Sequence, residues 1–263
     1  MSPAPRSTLR SDMFGVQVTT DLTGEKTLTR WERIGVETRW GRYLSAVERR
    51  MLLRAIEASP GPPTALEVGC EGGRWTQLLA NAGWCVTSTD IDRESLDVCE
   101  HRVPSAKCLL VEPNATMLPA ESGSLGLLLC YEVFTVVHER WFLDEVARVL
   151  APGGVFVAVV SNRSSHRRFL WEAANRGRPE EDINGLPMYS RTYGSWRQQL
   201  RDNGFVTVAE EGFCWMPFSR QSDSHLVEPL NKVERILNLQ HLPTLSPWVC
   251  AVMAKDLHVT SVK

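Results

Sequence analysis

A chain of 263 residues, 43% of them hydrophobic, with a formal net charge of −2, can bury a large core and lacks the basic footprint of a duplex-binding protein. The same composition excludes the polar signature of intrinsic disorder. Seven cysteines, at 70, 85, 99, 108, 130, 214 and 250, form no C-x-x-C pair and read as reduced core residues; with no apolar signal-peptide core and no bilayer-length apolar run, the expectation is a cytoplasmic protein with no membrane span.

Residues 1–30 mix Pro, Ser, Thr and Gly without periodicity and are expected to form a flexible arm, either a disordered tail or a segment ordered by contact with the domain or a ligand. From about Trp31 to Ala58, Leu44, Val47, Met51 and Ala55 recur at three- and four-residue steps, which predicts a helical cap that "SPGPP" ends. Alternation follows: "TALEVG", "WCVTSTD", "KCLLVEP", "SLGLLLCYEV" and "VFVAVV" read as strands, with helices at "GRWTQLLANAG", "RESLDVCEHR" and "RWFLDEVARVL" between them. The second strand is unusually polar, with Thr87, Ser88 and Thr89 in sequence. "NRSSHRRFLWEAANRGRPEEDINGLPMYS" is too long for an ordinary connector, so residues 162–190 are expected to be an insertion that covers the substrate. A helix at "TYGSWRQQLRDNGF", a strand at "FVTVAEE", a helix near "LNKVERILNL" and a strand at "SPWVCAVMAK" complete one domain over 31–257, with a tail at 258–263. The predicted fold class is α/β: a Rossmann-like, doubly wound, seven-stranded, mostly parallel sheet with flanking helices, an N-terminal helical cap and the insertion after the fifth strand.

The stretch "ALEVGCEGGRW", Ala65 to Trp75, has the outline of a glycine-rich strand-to-helix loop. Counting from Gly69, Glu71 and Arg74 stand where a dinucleotide G-x-G-x-x-G frame has its second and third glycines. A carboxylate about 4 Å from a pyrophosphate costs roughly 4 kcal/mol at an effective dielectric near 20, about a thousandfold in affinity. A ligand carrying an ammonium and a sulfonium instead favours Glu67 and Glu71, and S-adenosylmethionine is such a ligand. Gly69, Cys70 and Gly73 complete the loop expected to approach it, and Asp90, about twenty residues on, has the spacing of an acid that accepts both ribose hydroxyls.

With these residues the chain resembles the class I S-adenosylmethionine-dependent methyltransferases, especially those acting on small molecules. "LEVGCEGGRW" is similar to the family's first motif and "TDID" to its second. The resemblance implies Asp90 as the ribose ligand and Ile91 against the adenine. "PNATMLP" resembles the family's G-D-A-x-x-L-P segment, which implies Asn114 on the adenine amino group and Ala115 beside the ring. "FLDEVARVLAPGGVFVAVV" is similar to the family's helix, turn and fifth strand. Three departures stand out: Glu71 replaces a common glycine, Asn114 the usual aspartate, and Gly126 the aspartate of an S-F-D signature. The implied cofactor is S-adenosylmethionine and the implied activity methyl transfer to a small-molecule acceptor, with oxygen, nitrogen and carbon acceptors all open. The alternatives are an RNA or protein methyltransferase, or a scaffold domain that binds cofactor without turnover.

"CYEVFTVVHERW" follows the fourth strand, where position favours Tyr131 and Glu132 for the methionine end of the cofactor. His138 in that segment and His166 in "NRSSHRR" are candidate proton acceptors for a hydroxyl nucleophile; a capping histidine and a solvated loop are the respective bland readings. Among nine tryptophans, Trp40, Trp171, Trp196 and Trp215 are candidates to roof an apolar acceptor, against ordinary core filling. No metal site is expected, nucleic acid is not an expected partner, and monomer and homodimer both remain open.

Overall fold

A computed structural model describes residues 19–20, 26–174, 182–183, 186–187 and 190–257. The rest of the expected arm, the middle of the expected insertion and the tail at 258–263 lie outside the described residues. Strands β1 (Thr19–Thr20) and β2 (Lys26–Leu28) pair antiparallel ahead of helices α1 (Arg30–Glu37) and α2 (Arg39–Ala58). The alternating part runs β3 (Thr64–Val68), α3 (Arg74–Asn81), β4 (Cys85–Asp90), α4 (Arg93–Arg102), β5 (Lys107–Leu110), β6 (Leu125–Cys130), α5 (Arg140–Val149) and β7 (Leu150–Ser161). After it come α6 (His166–Ala174), the short pair β8 (Asp182–Ile183) and β9 (Leu186–Pro187), α7 (Tyr193–Asp202), β10 (Phe205–Phe213), α8 (Val227–Ile236), a 3-10 turn at Leu239–His241, and β11 (Trp248–Lys255).

Seven strands form the main sheet in the order β10-β11-β7-β6-β3-β4-β5. Neighbours from β7 through β5 are parallel, while β11 runs against both β7 and β10. The chain order reverses between β3 and β6, so the crevice beyond their carboxyl ends is where a doubly wound sheet takes its ligand. β6, β7 and β11 are wholly or almost wholly buried along their length, which is why they read as unbroken apolar runs.

The polar strand β4 is stable because its hydroxyls are paired. Thr89 donates its hydroxyl hydrogen to the Glu67 carbonyl at 3.0 Å, and Ser88 lies 2.9 Å from the hydroxyl of Thr76 on α3. Thr76 in turn donates to Glu67 Oε2 at 2.5 Å, so Glu67 and the β4 hydroxyls form one buried network. The departure at Gly126 also has a steric cause. A Cβ there would stand 2.1 Å from the Pro62 carbonyl oxygen, so the chain crossing from "SPGPP" occupies the place an aspartate needs.

The expected cap helix is two helices. Thr38 closes α1 and opens α2: its hydroxyl donates to the Ile34 carbonyl at 2.8 Å and accepts from the Gly41 amide at 2.9 Å. α1 carries a capping box, with Thr29 at the N-cap and Glu32 three residues on. The segment after β10 holds this cap down: the Trp40 amide donates to the Ser222 carbonyl at 3.1 Å, and Arg39 pairs with Asp223 at 3.0 Å. Among the described residues, no helix is long and apolar enough to cross a membrane.

Candidate active site

The glycine loop folds over the end of β3 because the amides of Gly69 and Cys70 both donate to the Thr89 carbonyl, at 2.8 and 3.0 Å. The turn then needs left-handed backbone at Gly69, Glu71 and Gly73. At Gly73 (φ +79) a side chain would also meet Cys99 Sγ at 2.4 Å, so the loop seats directly on α4. Glu71 holds φ +51 without that freedom, a conformation that costs a non-glycine residue roughly 1–2 kcal/mol. Its amide donates to Asp90 Oδ2 at 2.9 Å and its carboxylate accepts from the Thr29 hydroxyl at 2.7 Å, which fixes the turn from both sides.

Next to this loop lies a cleft lined by Glu32, Glu48, Gly69, Cys70, Glu71, Arg74, Trp75, Tyr131 and Glu132. Four of these are carboxylates, and each has a partner. Glu32 pairs with Arg102, Glu48 with Arg74 at 3.2 Å, Glu71 with Thr29, and Glu132 with Arg220. Burial raises Glu48, with Arg74 and Arg220 pulling it back down. Burial pushes Glu71 up to about 7, against the lowering effect of the Thr29 hydrogen bond. Burial also raises Asp90, opposed by backbone amides that include those of Glu71 and Asp92. The aromatic wall is Tyr131 edge-on to Trp75 at 5.8 Å, with the Tyr131 hydroxyl donating to the Glu48 carbonyl at 2.8 Å.

Of the residues singled out in the sequence, Gly69, Cys70, Glu71, Tyr131 and Glu132 line this cleft. Gly73 and Asp90 sit under the same loop, and Glu67 is 2% exposed beneath it, spent on Thr76. Ile91 and Asn114 are exposed just past the ends of β4 and β5, and Ala115 is half-buried beside them. His138 does not line the cleft: it is 2% exposed, its Nε2 lies 3.1 Å from Ser161 Oγ, and burial pushes it down to about 4. His166 opens α6, stacks on Trp215 at 5.4 Å and places Nε2 3.0 Å from the Trp215 carbonyl oxygen. Trp40 and Trp196 belong to the core, where Trp40 meets Tyr43 and Phe218, and Trp196 donates its indole hydrogen to the Val137 carbonyl at 2.9 Å. Trp215 is half-buried, and the side chain of Trp171 lies outside those described.

Four lining residues escaped the sequence reading: Glu32, Glu48, Arg74 and Trp75. Two of them carried a signal. "TRWE", Thr29 to Glu32, is a capping-box signature, and Glu48 shares a helix face with Leu44 and Leu52, where a carboxylate is rarely buried without a role. Arg220 carried none, since it lies in an irregular segment far along the chain.

The arrangement suits a ligand that brings positive charge. Four carboxylates meet three arginines across the cleft and its rim, and Asp90 keeps lone pairs free beside its two amide donors for further hydroxyls. No group of three or more metal-ligating side chains occurs among the described residues. S-adenosylmethionine fits this donor set.

Comparison with known proteins agrees. Residues 66–158 match a family model described as a methyltransferase domain. A probable S-adenosylmethionine-dependent methyltransferase of Mycolicibacterium smegmatis is 28% identical over 143 residues, which are 54% of this chain and 52% of that protein. A phthiotriol/phenolphthiotriol dimycocerosates methyltransferase of Mycobacterium tuberculosis is 29% identical over 158 residues, 56% of this chain and 57% of that protein. The chain thus spans little more than half the length of these relatives. A solved geranyl diphosphate methyltransferase, in complex with GPP and sinefungin, shares the fold with a TM-score of 0.56 at 15% identity, over 86% of this chain and 83% of that one. The strand order, the glycine loop and these matches together make residues 66–158 a methyltransferase domain, in a fold shared with class I S-adenosylmethionine-dependent methyltransferases.

Proposed function

We propose that this protein is a methyltransferase that moves a methyl group from S-adenosylmethionine to a small-molecule acceptor of specialised metabolism. The observation that carries the proposal is the carboxylate-lined cleft at the reversal of strand order, with Asp90 locked under the glycine loop. When bound, the cofactor supplies a methyl group on a sulfonium, already activated toward a nucleophile.

The chain's own task is then to orient and to exclude water. Asp90 would hold the ribose hydroxyls, with its carboxylate aimed by the Glu71 and Asp92 amides. Glu71, Glu48 and Glu132 would stabilise the ligand's positive charges, and the wall of Trp75 and Tyr131 would screen them from solvent. Ile91, Asn114 and Ala115, past the ends of β4 and β5, would border the adenine. For a hydroxyl acceptor, His166, at the start of α6, is better placed to take a proton than the enclosed His138.

Isothermal calorimetry with S-adenosylmethionine tests the cofactor half. Losing the charged hydrogen bonds of Asp90 costs roughly 1.5–3 kcal/mol, so Asp90→Ala should weaken binding about 10- to 150-fold. Incubation with methyl-labelled cofactor and a nuclease- and protease-treated metabolite extract tests the acceptor half. Label found only in nucleic acid or protein would end the small-molecule reading.

A further inference from the structure

Arg220 lies in the segment between β10 and α8 and reaches back to the cleft. It pairs with Glu132, and its charge interacts favourably with Glu48 and Glu71. Its guanidinium carbon stands 4.9 Å from the centre of the Trp31 ring and 5.5 Å from that of Trp248. Glu48 and Glu71 have nearer partners, Arg74 and Thr29, but Glu132 has Arg220. Glu132 is moreover held at φ +59, a strained backbone for a residue with a side chain.

A cation of the protein therefore stands among the carboxylates to which a cationic ligand must bind. We propose that Arg220 is a specificity-determining residue that competes with the positive charges of the cofactor for Glu132, so that the cofactor binds by exchange with the Arg220 guanidinium. This inference rests on the cofactor reading of the cleft given above. Its physical basis is mutual exclusion: two cations meeting one carboxylate repel each other, and the one with the better geometry displaces the other. Exchange frees the guanidinium from Glu132, and with it the segment that holds down the start of α2 through Ser222 and Asp223.

The exchange makes a charge-ordered prediction across three compounds that differ at one position. S-adenosylmethionine carries a sulfonium, sinefungin an amine cation in its place, and S-adenosylhomocysteine a neutral thioether. Removing Arg220 leaves the cleft one charge more negative, which favours the two ligands of net positive charge over the net-neutral one. Calorimetry on the full chain reads this directly. Arg220→Met should bind S-adenosylmethionine and sinefungin roughly fivefold more tightly, with S-adenosylhomocysteine changed less than about twofold. Arg220→Lys, which keeps the charge, should restore the wild-type ranking. Glu132→Gln gives the converse measurement if Arg220→Met does not fold, and should weaken the two cationic ligands more than the neutral one. Equal or weaker binding of all three ligands by a folded Arg220→Met, with wild-type binding intact, would overturn the exchange alone. Absence of binding by the wild type would overturn the cofactor reading and the exchange with it.

Discussion

Thr29 donates its hydroxyl hydrogen to Glu71 at 2.7 Å, joining the N-cap of the first helix to the crook of a loop 42 residues later. The same hydroxyl caps the amide of Glu32, so one side chain starts a helix and braces the cofactor loop. Thr29→Val should lower stability by about 1 kcal/mol, the usual cost of a lost N-cap. It should also raise the titration midpoint of Glu71, which loses the hydrogen bond that favours its charged form. Urea unfolding reads the first effect, and carbon-detected NMR of the labelled carboxyl the second.

Binding of a cationic cofactor should depend on pH through Glu71. In the free protein this carboxyl titrates at about 7, so much of it is protonated at pH 6. A cation nearby favours the carboxylate, so binding below pH 7 must expel a proton and weakens as pH falls. For one such group, affinity should drop roughly eightfold from pH 7.5 to pH 6 and level off above pH 8. Glu71→Gln should flatten the profile. A profile unchanged by that substitution would assign the dependence to another group.

Trp196 is fully buried, and its indole N–H is satisfied by Val137. Trp196→Ala should cost about 3–5 kcal/mol through the cavity and the orphaned carbonyl. Thermal unfolding measures it, and an effect below about 1 kcal/mol would mean that the ring is not core.

His138→Gln should leave S-adenosylmethionine affinity within about twofold, since His138 touches Ser161 rather than the cleft. Stability should fall by roughly 1–3 kcal/mol for the disturbed buried hydrogen bond. Because burial holds this imidazole at about 4, it stays neutral above pH 5, and its loss should not alter a pH–rate profile between 6 and 9.

The fold was legible where one residue decided one thing. "TALEVG" and "SLGLLLCYEV" read as buried strands because both faces are covered, and β3 and β6 are neighbours at the sheet's centre. The polar "VTST" run read poorly because its stability comes from Thr76 and Glu67 on other elements, a pairing no local pattern announces. Two of the four tryptophans expected to roof an acceptor, Trp40 and Trp196, belong to the core instead. Trp40 and Trp196 sit on helix faces turned to the core, and aromatic content is equal evidence for either place. Of the four cleft carboxylates, half, Glu71 and Glu132, came from the glycine loop and the residues after β6; the other half, Glu32 and Glu48, came from α1 and α2, brought in by long-range packing.

That second half has a consequence for how the protein can be divided. The segment that carries the family likeness begins at Leu66, after Glu32 and Glu48, and stops at Ala158, well before Arg220. Excised, it would keep the scaffold of β3, β4 and β6 and lose two of the four cleft carboxylates together with the guanidinium that faces them. A chimera that exchanged this segment alone for a relative's would therefore inherit a foreign loop and retain the native charge around it. In this molecule the cleft's charge is shared between the middle of the chain, with Glu71 and Glu132, and its two flanks, with Glu32 and Glu48 before it and Arg220 after it.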